Sequence, residues 1–400
     1  MTTSPLLERA ARVLLANYYP ARLALVRGEG CRVWDDAGRA YLDLIGGIAV
    51  NALGHCHPAV VAAIREQCGT LMHVSNLYRH PWQVRLAELL AEYVPGTRVF
   101  FCNSGAEANE AAIKLVRRHA HERFGPERHV IVAAHASFHC RTMAALTATG
   151  QPKYHAGFAP LVPGFRHVPF DDLPALEQAL AQPDVCAVLL EPIQGESGVR
   201  VPAPGYLREV AALCASRHVL LALDEVQTGL GRTGTFLACD AEGVVPDVVT
   251  LSKSLGGGLA LGAMLARGEC AEAFQPGTHA STFGGNPVSC AAALAFLQTL
   301  FAENLMQRVR ETGEWLMGRL RELAARQPKI TAVRGRGLLI AFDLTVPAKS
   351  VVQAAEERGF LVNAVQEHTL RLAPPYIVSR EELAGFLAAL EEILAGPEGT

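Results

Sequence analysis

The stretch VLLALDEVQTG, residues 219–229, decides the fold, because a continuous apolar run ends there in an acidic pair and then a glycine. An uninterrupted apolar run of this kind is typical of a strand that is buried on both faces of a parallel sheet. A carboxylate at its end is costly to bury without a partner, which would be a metal, an arginine or a protonated ring nitrogen. Asp224 therefore belongs either to a ligand site or to a loop that it caps.

Comparable apolar runs lie on both sides of this stretch and are separated by helical patterns. The predicted strands are 99–102, 129–134, 185–190, 219–223 and 248–251, and the predicted helices among them are 107–121 and 206–216. This alternation predicts an α/β fold with a mostly parallel central sheet covered by helices. Ligands in such sheets bind at the carboxyl ends of the strands, so polar residues that follow these strands are candidate site residues.

The last hundred residues follow a different pattern, in which helices and short strands mix as in an α+β domain. Helices are predicted over 287–301, 303–326 and 350–358, and strands over 330–333, 338–344 and 369–372. A final helix is predicted from apolar residues at helical spacing, and Ser379 with Glu382 fits a capping box at its start. We therefore expect a second, smaller domain to begin near residue 290.

Composition excludes several classes of protein. Half of the 400 residues are hydrophobic and 19% are charged, so disorder is not expected, and a formal charge of −3 argues against nucleic acid or an anionic membrane as the main partner. No stretch of 18 apolar residues occurs, and Met1–Ser4 lacks the basic and apolar regions of a secretory signal. We expect a cytoplasmic protein whose ten cysteines, none of them in a CxxC pair, are reduced thiols.

A cluster of small residues, Asn103–Glu110, follows the predicted strand 99–102 and opens a helix. Small side chains leave backbone N–H groups accessible, and a helix N-terminus favours an anion, so a phosphate group is the natural ligand. The alternative is an ordinary helix start with Ser104 as the N-cap.

After the stretch of Asp224 and the cluster Asn103–Glu110, a third cluster is Thr250–Gly258. It places Lys253 just beyond a strand end and before three glycines. A desolvated lysine loses its proton readily and attacks carbonyl groups, although a solvated loop lysine is the alternative. An anion site, a buried acid and an amine nucleophile at the carboxyl ends of strands are together what pyridoxal phosphate requires. The three clusters therefore predict a pyridoxal-phosphate site.

These segments resemble the class III aminotransferases of fold type I over nearly the whole chain. The matching segments are Gly46–Asn51, Leu53–His55, Ser75–Tyr78, Asn103–Glu110, Ser137–Thr142, Glu191–Glu196, Asp224–Gly229, Lys253 and Ser281–Pro287. Within that family the chain most resembles the enzymes of arginine biosynthesis that transfer the δ-amino group of an acetylated ornithine to 2-oxoglutarate. The resemblance implies a homodimer of fold type I subunits, with a large domain at 46–290 and a small domain formed by residues 1–45 and 291–400.

The resemblance implies a role for each cofactor residue. Lys253 is similar to the lysine that forms the Schiff base with the cofactor, and Asp224 is similar to the partner of its pyridine nitrogen. Val226 and Phe138 would pack on the two faces of the ring. The other implied contacts are Gln227 at the ring hydroxyl, Ser104, Gly105 and Ala106 at the phosphate, Glu225 beside Asp224, and Thr282 at the phosphate of the neighbouring subunit.

The resemblance also implies how the two substrates are recognised. Arg141 is similar to the arginine that binds the α-carboxylate of the acylated donor, with Tyr18 and Ser281 nearby. Arg371 is similar to the arginine that binds the α-carboxylate of glutamate or 2-oxoglutarate. Glu196 would pair with Arg371 when an ω-amine is the donor, since a free Arg371 would orient the wrong amine.

Two residues depart from the family pattern near the expected substrate site. Cys140 stands where a glycine usually precedes the arginine, and Ser197 replaces a common glycine after Glu196. The Cys140 side chain is expected to shift Arg141 or to narrow the pocket. Both departures bear on the substrate rather than on the cofactor.

Other patterns in the sequence resemble dinucleotide-binding or metal-binding motifs but do not predict such sites. Residues 229–234 match GxGxxG, but no clear helix follows them, which argues against a dinucleotide site. His55 and His57 have no supporting ligand pair, and His135, His139 and Cys140 lie in the segment where Phe138 and Arg141 have other implied roles. We therefore expect no metal.

Three classes of function remain. Transamination of an ω-amine is favoured by the presence of both Arg141 and Arg371. The alternatives are another pyridoxal-phosphate reaction, such as that of an aminomutase, racemase or decarboxylase, and a nucleotide-binding regulatory protein that uses the glycine-rich loops. Within transamination, the alternative donors are ornithine, succinylornithine, an acylated lysine or diaminopimelate, and 4-aminobutyrate.

Overall fold

The computed structural model describes residues 4–396, which form β-sheets with helices packed on them. The strands are β1 (Leu25–Glu29), β2 (Arg32–Asp35), β3 (Ala40–Asp43), β4 (Thr97–Cys102), β5 (Val130–Ala134), β6 (Phe165–Val168), β7 (Val185–Leu190), β8 (Leu220–Asp224), β9 (Val248–Leu251), β10 (Gly262–Arg267), β11 (Ile330–Arg336), β12 (Leu339–Leu344), β13 (Phe360–Leu361), β14 (Asn363–Gln366) and β15 (Thr369–Leu372). The helices are α1 (Pro5–Val13), α2 (Gly46–Ala49), α3 (Pro58–Cys68), α4 (Pro81–Tyr93), α5 (Gly105–Phe124), α6 (Met143–Ala148), α7 (Pro152–His155), α8 (Leu173–Leu180), α9 (Tyr206–Ser216), α10 (Pro287–Ala302), α11 (Leu305–Arg326), α12 (Ala348–Glu357) and α13 (Arg380–Ala395).

A seven-stranded sheet forms the centre of the molecule, in the order β4-β10-β9-β8-β7-β5-β6. All neighbouring strands in it are parallel except for the two pairs that β10 makes. Every residue of β5, β7 and β9 is buried, as expected for strands covered on both faces. The prediction of an α/β fold with a mostly parallel sheet is confirmed.

Strand β10 was not predicted, and it is the antiparallel strand of that sheet. Its sequence, GAMLAR, consists mainly of residues that favour helices. The residues nevertheless pair with β4 on one side and β9 on the other, because burial between two strands outweighs local propensity. Strand β6 was also missed, since FRHV is short and half polar.

The ends of the described chain are joined by a smaller sheet of order β1-β2-β3-β13, in which β13 pairs in parallel with β3. A further sheet, β11-β12-β15-β14, carries Arg371 on β15. This arrangement suits a small domain made from both chain ends. The expected domain limit at residue 290 falls inside α10, so the domain boundaries stay a prediction.

The structure also bears on other expectations from composition. Among residues 4–396, no single helix is long and apolar enough to cross a membrane; α10 and α11 meet that test only together, and they are bent by 67°. Each of the ten cysteines is a free thiol. The capping box of Ser379 and Glu382 is present at the start of α13. Met1–Thr3, which entered the argument against a secretory signal, lie outside the described residues.

Candidate active site

The carboxyl ends of the central strands surround a small cavity, as the sheet topology predicts. Residues from the ends of β7, β8 and β9 meet there with the loop that follows β5. The lining residues are Phe138, Cys140, Glu191, Glu196, Asp224, Val226, Gln227, Thr228 and Lys253. The sequence-predicted lysine and carboxylate therefore line the same cavity.

Asp224 is held by a set of hydrogen bonds at the end of β8. Its Oδ2 accepts from Asn109 Nδ2 and from His139 Nδ1, both at 2.8 Å, and its Oδ1 accepts from the backbone N–H of Val226 at 3.1 Å. Asn109 Oδ1 accepts in turn from Thr250 Oγ1 at 2.8 Å. The carboxylate is thus oriented by α5, by β9 and by the loop after β5, and it keeps its place at the cavity wall.

Sequence reasoning missed His139, Asn109 and Thr250, which orient Asp224. His139 was considered only as a metal ligand; its Nδ1 instead donates to Asp224, while its buried Nε2 has no hydrogen-bond partner among residues 4–396. Within the same range, no group of three or more His, Cys, Asp or Glu is arranged to hold a metal ion. A signal was present, because Asn109 lies within the cluster Asn103–Glu110 that opens α5.

Lys253 follows β9 in a left-handed backbone conformation, with φ of 43°, that turns its side chain into the cavity wall. Burial lowers the pKa of the Lys253 amine; Glu196 opposes this shift and Arg371 adds to it. A lowered pKa increases the fraction of neutral amine, which is the form that attacks a carbonyl group and accepts a proton.

The start of α5 offers donors to an anion. Ser104 is the N-cap, its Oγ accepting from Glu107 N–H at 3.1 Å, so the expected capping role is present. The N–H groups of Gly105 and Ala106 belong to the first turn and have no acceptor within the helix. A Cβ atom at Gly105 would lie 2.8 Å from Val226 Cγ1, so the helix start packs directly on a wall of the cavity.

Glu196 and Arg371 form an ion pair beside Lys253. Arg371 Nη1 donates to Glu196 Oε1 at 2.6 Å and to Gln227 Oε1 at 3.2 Å, and Arg371 Nη2 donates to Asn363 Oδ1 at 3.0 Å. Burial by itself would raise the pKa of Glu196, but the charges of Arg371 and Lys253 outweigh it and lower that pKa. Glu196 therefore stays ionised and neutralises a guanidinium that is only 3% exposed.

Arg141 lies at the outer side of Phe138. Its Cζ is 5.4 Å from the centroid of the Phe138 ring and 3.7 Å from that of Tyr154. Arg141 itself is exposed. No salt bridge or hydrogen bond of its guanidinium is present among residues 4–396, so its donors face no protein acceptor there.

Glu191 is a buried acid in the cavity wall for which the sequence assigned no role. Its Oε1 accepts from Phe138 N–H at 2.8 Å and its Oε2 from Gly195 N–H at 3.2 Å. Burial raises the pKa of the Glu191 carboxyl to about 7. Both hydrogen bonds fix backbone segments that carry cavity residues, which makes Glu191 a brace for the loop of Phe138.

Four expected site residues lie away from this cavity in the single chain. The Glu225 side chain accepts from Cys239 N–H and from Thr228 Oγ1 behind the cavity, so it is left out of the proposed cofactor contacts. Ser281 Oγ accepts from Gly284 N–H at 3.0 Å in a surface loop. Thr282 is exposed, and Tyr18 is 84% exposed.

Cys140 has a backbone conformation that glycine adopts readily, with φ of 91°, yet its side chain lines the cavity. Burial raises the pKa of its thiol to about 12, so the thiol is neutral and acts by its volume. We predict that Cys140→Gly relieves backbone strain, stabilises the protein by at most about 1 kcal/mol and changes the Michaelis constant of the amino donor. Thermal unfolding and steady-state kinetics measure the two effects.

The matched control is Cys56, another cysteine with a left-handed backbone, φ of 53°, that is exposed and outside the cavity. Cys56→Gly is expected to change stability in the same direction and to leave the kinetics unaltered. A Michaelis constant that moves equally in both variants would contradict a role of the Cys140 thiol in the pocket.

The residues present fit pyridoxal phosphate. The cofactor needs donors for a phosphate, a carboxylate for its ring nitrogen and a lysine for its aldehyde. The first turn of α5, Asp224 and Lys253 supply these groups around one cavity, and Asp224 is already oriented by three hydrogen bonds. The fold and the site together define a pyridoxal-phosphate enzyme.

The chain belongs to the class-III aminotransferases, whose family model matches residues 15–394. It is 50% identical over 394 residues to the acetylornithine aminotransferase of Thermosynechococcus vestitus, covering 96% of this chain and 95% of that one. It is also similar to a solved structure of the Toxoplasma gondii ornithine aminotransferase, which has partial occupancy of pyridoxal phosphate at its active site. The two chains are 35% identical, the match has a TM-score of 0.94, and it covers 97% of this chain and 93% of that one. A solved acetylornithine aminotransferase from Elizabethkingia anophelis matches with TM-score 0.87, 34% identity and coverage of 97% and 98%. The protein is therefore an aminotransferase, and pyridoxal phosphate is its cofactor.

Proposed function

We propose that the enzyme transfers the δ-amino group of N-acetylornithine to 2-oxoglutarate, giving N-acetylglutamate 5-semialdehyde and glutamate. The observation that carries this proposal is the Glu196–Arg371 pair, 2.6 Å apart beside Lys253. A neutralised Arg371 suits an ω-amine donor, which has no carboxylate at its reacting end, while Arg141 keeps free donors for the distant α-carboxylate. The names of relatives at 47–50% identity support the same donor.

The proposed roles of the residues follow from their positions. Pyridoxal phosphate, when bound, supplies the electron sink for the carbanion that forms at the reacting carbon of the substrate. Asp224 would stabilise a positive charge on the ring nitrogen by its own negative charge, and Val226 and Phe138 would confine the ring. Lys253 Nζ accepts the proton from the substrate carbon and returns it, which its lowered pKa permits.

The two half-reactions need opposite states of Arg371. With the ω-amine donor bound, Glu196 stays on Arg371; with glutamate or 2-oxoglutarate bound, the α-carboxylate takes the place of Glu196 on the guanidinium. Gln227 Nε2 lies 3.3 Å from Glu196 Oε1 and Gln227 Oε1 lies 3.2 Å from Arg371 Nη1, so Gln227 touches both members of the pair. One site thereby accepts two substrates of different shape.

The test is a comparison of kcat/KM for the candidate amines with 2-oxoglutarate as acceptor. We expect N-acetylornithine to be preferred at least about tenfold over ornithine, since discrimination of one acyl group is worth about 1.4 kcal/mol or more. A smaller preference would refute this donor. Ornithine itself is the second candidate, because solved ornithine aminotransferases match the fold with TM-scores up to 0.95.

The other functions considered from the sequence have less support. Residues 229–234 do not open an α-helix, and the next helical element is a short 3₁₀ turn at Ala238–Glu242. A Cβ atom at Gly231 would meet Leu300 and Met306, so this loop packs into the core. These contacts leave no dinucleotide cradle at the GxGxxG pattern.

We further propose that the active form is a homodimer. Large apolar side chains stay exposed on the single chain near the start of the described residues, at 77–78 and beside Thr282; they are Val13, Leu14, Leu15, Tyr18, Tyr19, Leu77, Tyr78 and Phe283. Exposed apolar groups of this number mark an interaction surface, and a second copy is the simplest partner. Sedimentation at micromolar concentration measures the state, and a monomer would contradict the proposal.

Mixing two inactive variants tests the shared site. If Thr282 acts across the interface, a hybrid of Lys253→Ala and Thr282→Asp subunits has one intact site. Random exchange should then restore about one quarter of the wild-type sites, because half of the dimers are hybrids. No recovery would place Thr282 and Lys253 in the site of the same subunit.

Glu196→Gln is expected to change the balance between the two donors. The amide keeps the shape of Glu196 but leaves the charge of Arg371 free to bind an α-carboxylate. We predict that kcat/KM falls about tenfold or more for N-acetylornithine and falls less, or rises, for glutamate, because a charged hydrogen bond contributes about 1.5–3 kcal/mol. An equal fall in kcat/KM for both donors, measured in the separate half-reactions, would contradict the proposal that Glu196 and a substrate carboxylate take turns on Arg371.

A further inference from the structure

Tyr154 is placed to hold Arg141. The guanidinium carbon of Arg141 lies 3.7 Å from the Tyr154 ring centroid, which is the shortest cation–ring distance among residues 4–396. The Tyr154 ring also meets Phe138 edge-on, with centroids 5.9 Å apart and planes at 78°. Tyr154 therefore contacts both the exposed arginine and the aromatic residue that lines the cavity.

The backbone beneath Tyr154 is well anchored. It belongs to the single turn α7, and the next residue, His155, has its Nε2 within 2.9 Å of Leu146 O and 2.8 Å of Thr149 O. Thr149 Oγ1 accepts from His139 N–H at 2.8 Å, which joins α7 to the loop of Phe138 and Arg141. The ring is thus fixed relative to the cavity rather than free on the surface.

Apart from Tyr154, Arg141 meets the Phe138 ring, whose centroid lies 5.4 Å from its Cζ, and it has no polar restraint among residues 4–396. Among the described residues it has no carboxylate partner and no hydrogen-bond acceptor, while other arginines near the cavity, such as Arg371, are tied by several bonds. An exposed arginine without partners samples many rotamers, and ordering it on binding costs free energy. The face of an aromatic ring lowers that cost without consuming any N–H donor.

We propose that Tyr154 is a positioning residue that sets the specificity for the acylated donor, by stacking on Arg141 and leaving its donors directed to the α-carboxylate. The inference rests on the proposed function, since it assigns that carboxylate to Arg141. It predicts that loss of the Tyr154 ring weakens donors that use Arg141 and spares those that use Arg371. The phenol hydroxyl has no part in this role, so phenylalanine should replace tyrosine.

The experiment uses the holoenzyme and a ligand that cannot react. N-acetylnorvaline keeps the acetamide and the α-carboxylate of N-acetylornithine but lacks the δ-amine, so its dissociation constant reports binding alone. Tyr154→Leu should raise that constant about tenfold, from lost stacking and lost preorganisation. Tyr154→Phe should leave it within about twofold, because the ring face remains.

Kinetics provide the second readout and a surface pair provides the control. For Tyr154→Leu the KM of N-acetylornithine should rise about tenfold with kcat changed less than about threefold, and the glutamate half-reaction should be unaffected. Phe124 stacks under Arg128 at 4.2 Å on the far end of α5, so Phe124→Leu removes a similar pair away from the cavity and should change neither constant.

The outcomes separate the two proposals. An unchanged dissociation constant in Tyr154→Leu, or equal weakening for N-acetylnorvaline and glutamate, would overturn the role of Tyr154. Failure of Tyr154→Phe to restore binding would also overturn it, since the hydroxyl would then matter. A wild-type enzyme that prefers ornithine to N-acetylornithine would instead refute the proposed donor, whatever the variants do.

Discussion

Lys253→Ala is expected to lower kcat/KM by about four orders of magnitude or more, because in the proposed mechanism the variant loses both the amine that would hold the cofactor aldehyde and the base that would move the substrate proton. The purified variant should also lack the visible absorbance of the wild-type holoenzyme, which requires the lysine in covalent contact with the cofactor. Absorbance spectra and steady-state rates with N-acetylornithine and 2-oxoglutarate measure the two losses.

Two further variants test whether activity depends on the amine of Lys253 or only on its positive charge. Lys253→Arg keeps a positive charge beside Glu196 but cannot lose its proton, so it should be as inactive as Lys253→Ala. Lys349→Ala removes an exposed lysine of α12 and should leave both spectrum and rate unchanged. An active Lys253→Arg enzyme would show that proton transfer runs through another group.

Much of the fold could be predicted from the sequence because its strands are apolar throughout. Strands β7, β9 and β15 and helix α9 were predicted with the bounds that the structure has. Failures came where local composition and tertiary pairing disagree, as in β10, or where a strand is too short to show a period, as in β13 with two residues. Such strands are defined by the partners that the sheet provides.

In the candidate site, too, some residues could be predicted from the sequence and others could not. Residues that end apolar strands, Asp224 and Lys253, stand out in the sequence because a charge after a buried run needs a reason. Their supports do not stand out: Asn109 lies in the second turn of α5 and Thr250 inside β9, and only the folded chain brings Thr250 to Asn109 and Asn109 to the carboxylate. Distances of this kind cannot be inferred from spacing along one chain.

Glu225 illustrates how adjacency in sequence misleads. Successive residues at the end of a strand point to opposite sides, so Asp224 facing the cavity places Glu225 behind it. There the Glu225 carboxyl accepts from Cys239 N–H at 3.0 Å, and burial raises its pKa to about 7. The alternation of the strand therefore divides the two carboxylates between the cavity and the core.

The second large effect is expected for Asp224→Asn, which should bind pyridoxal phosphate yet lower kcat by between about tenfold and about a hundredfold. The amide has no charge to stabilise a protonated ring nitrogen, and a charge-assisted hydrogen bond in a buried site contributes about 1.5–3 kcal/mol. Both present donors to Oδ2, Asn109 Nδ2 and His139 Nδ1, would also face an amide that has only one acceptor oxygen. Rapid-mixing measurements of each half-reaction should show the loss in both, since both use the same ring.

Asp247 supplies the matched control, because it is a part-buried carboxylate at the opposite end of the same sheet, where its Oδ2 accepts from Leu221 N–H at 2.7 Å. Asp247→Asn should lower the thermal midpoint and leave kcat within about threefold, since it removes the charge from the acceptor of a structural hydrogen bond far from the cavity. If Asp224→Asn behaved in the same way, with lost stability and near-normal turnover, Asp224 would be a structural carboxylate that caps the end of β8. A normal thermal midpoint with turnover strongly lowered would instead assign the charge of Asp224 to the chemistry of the site.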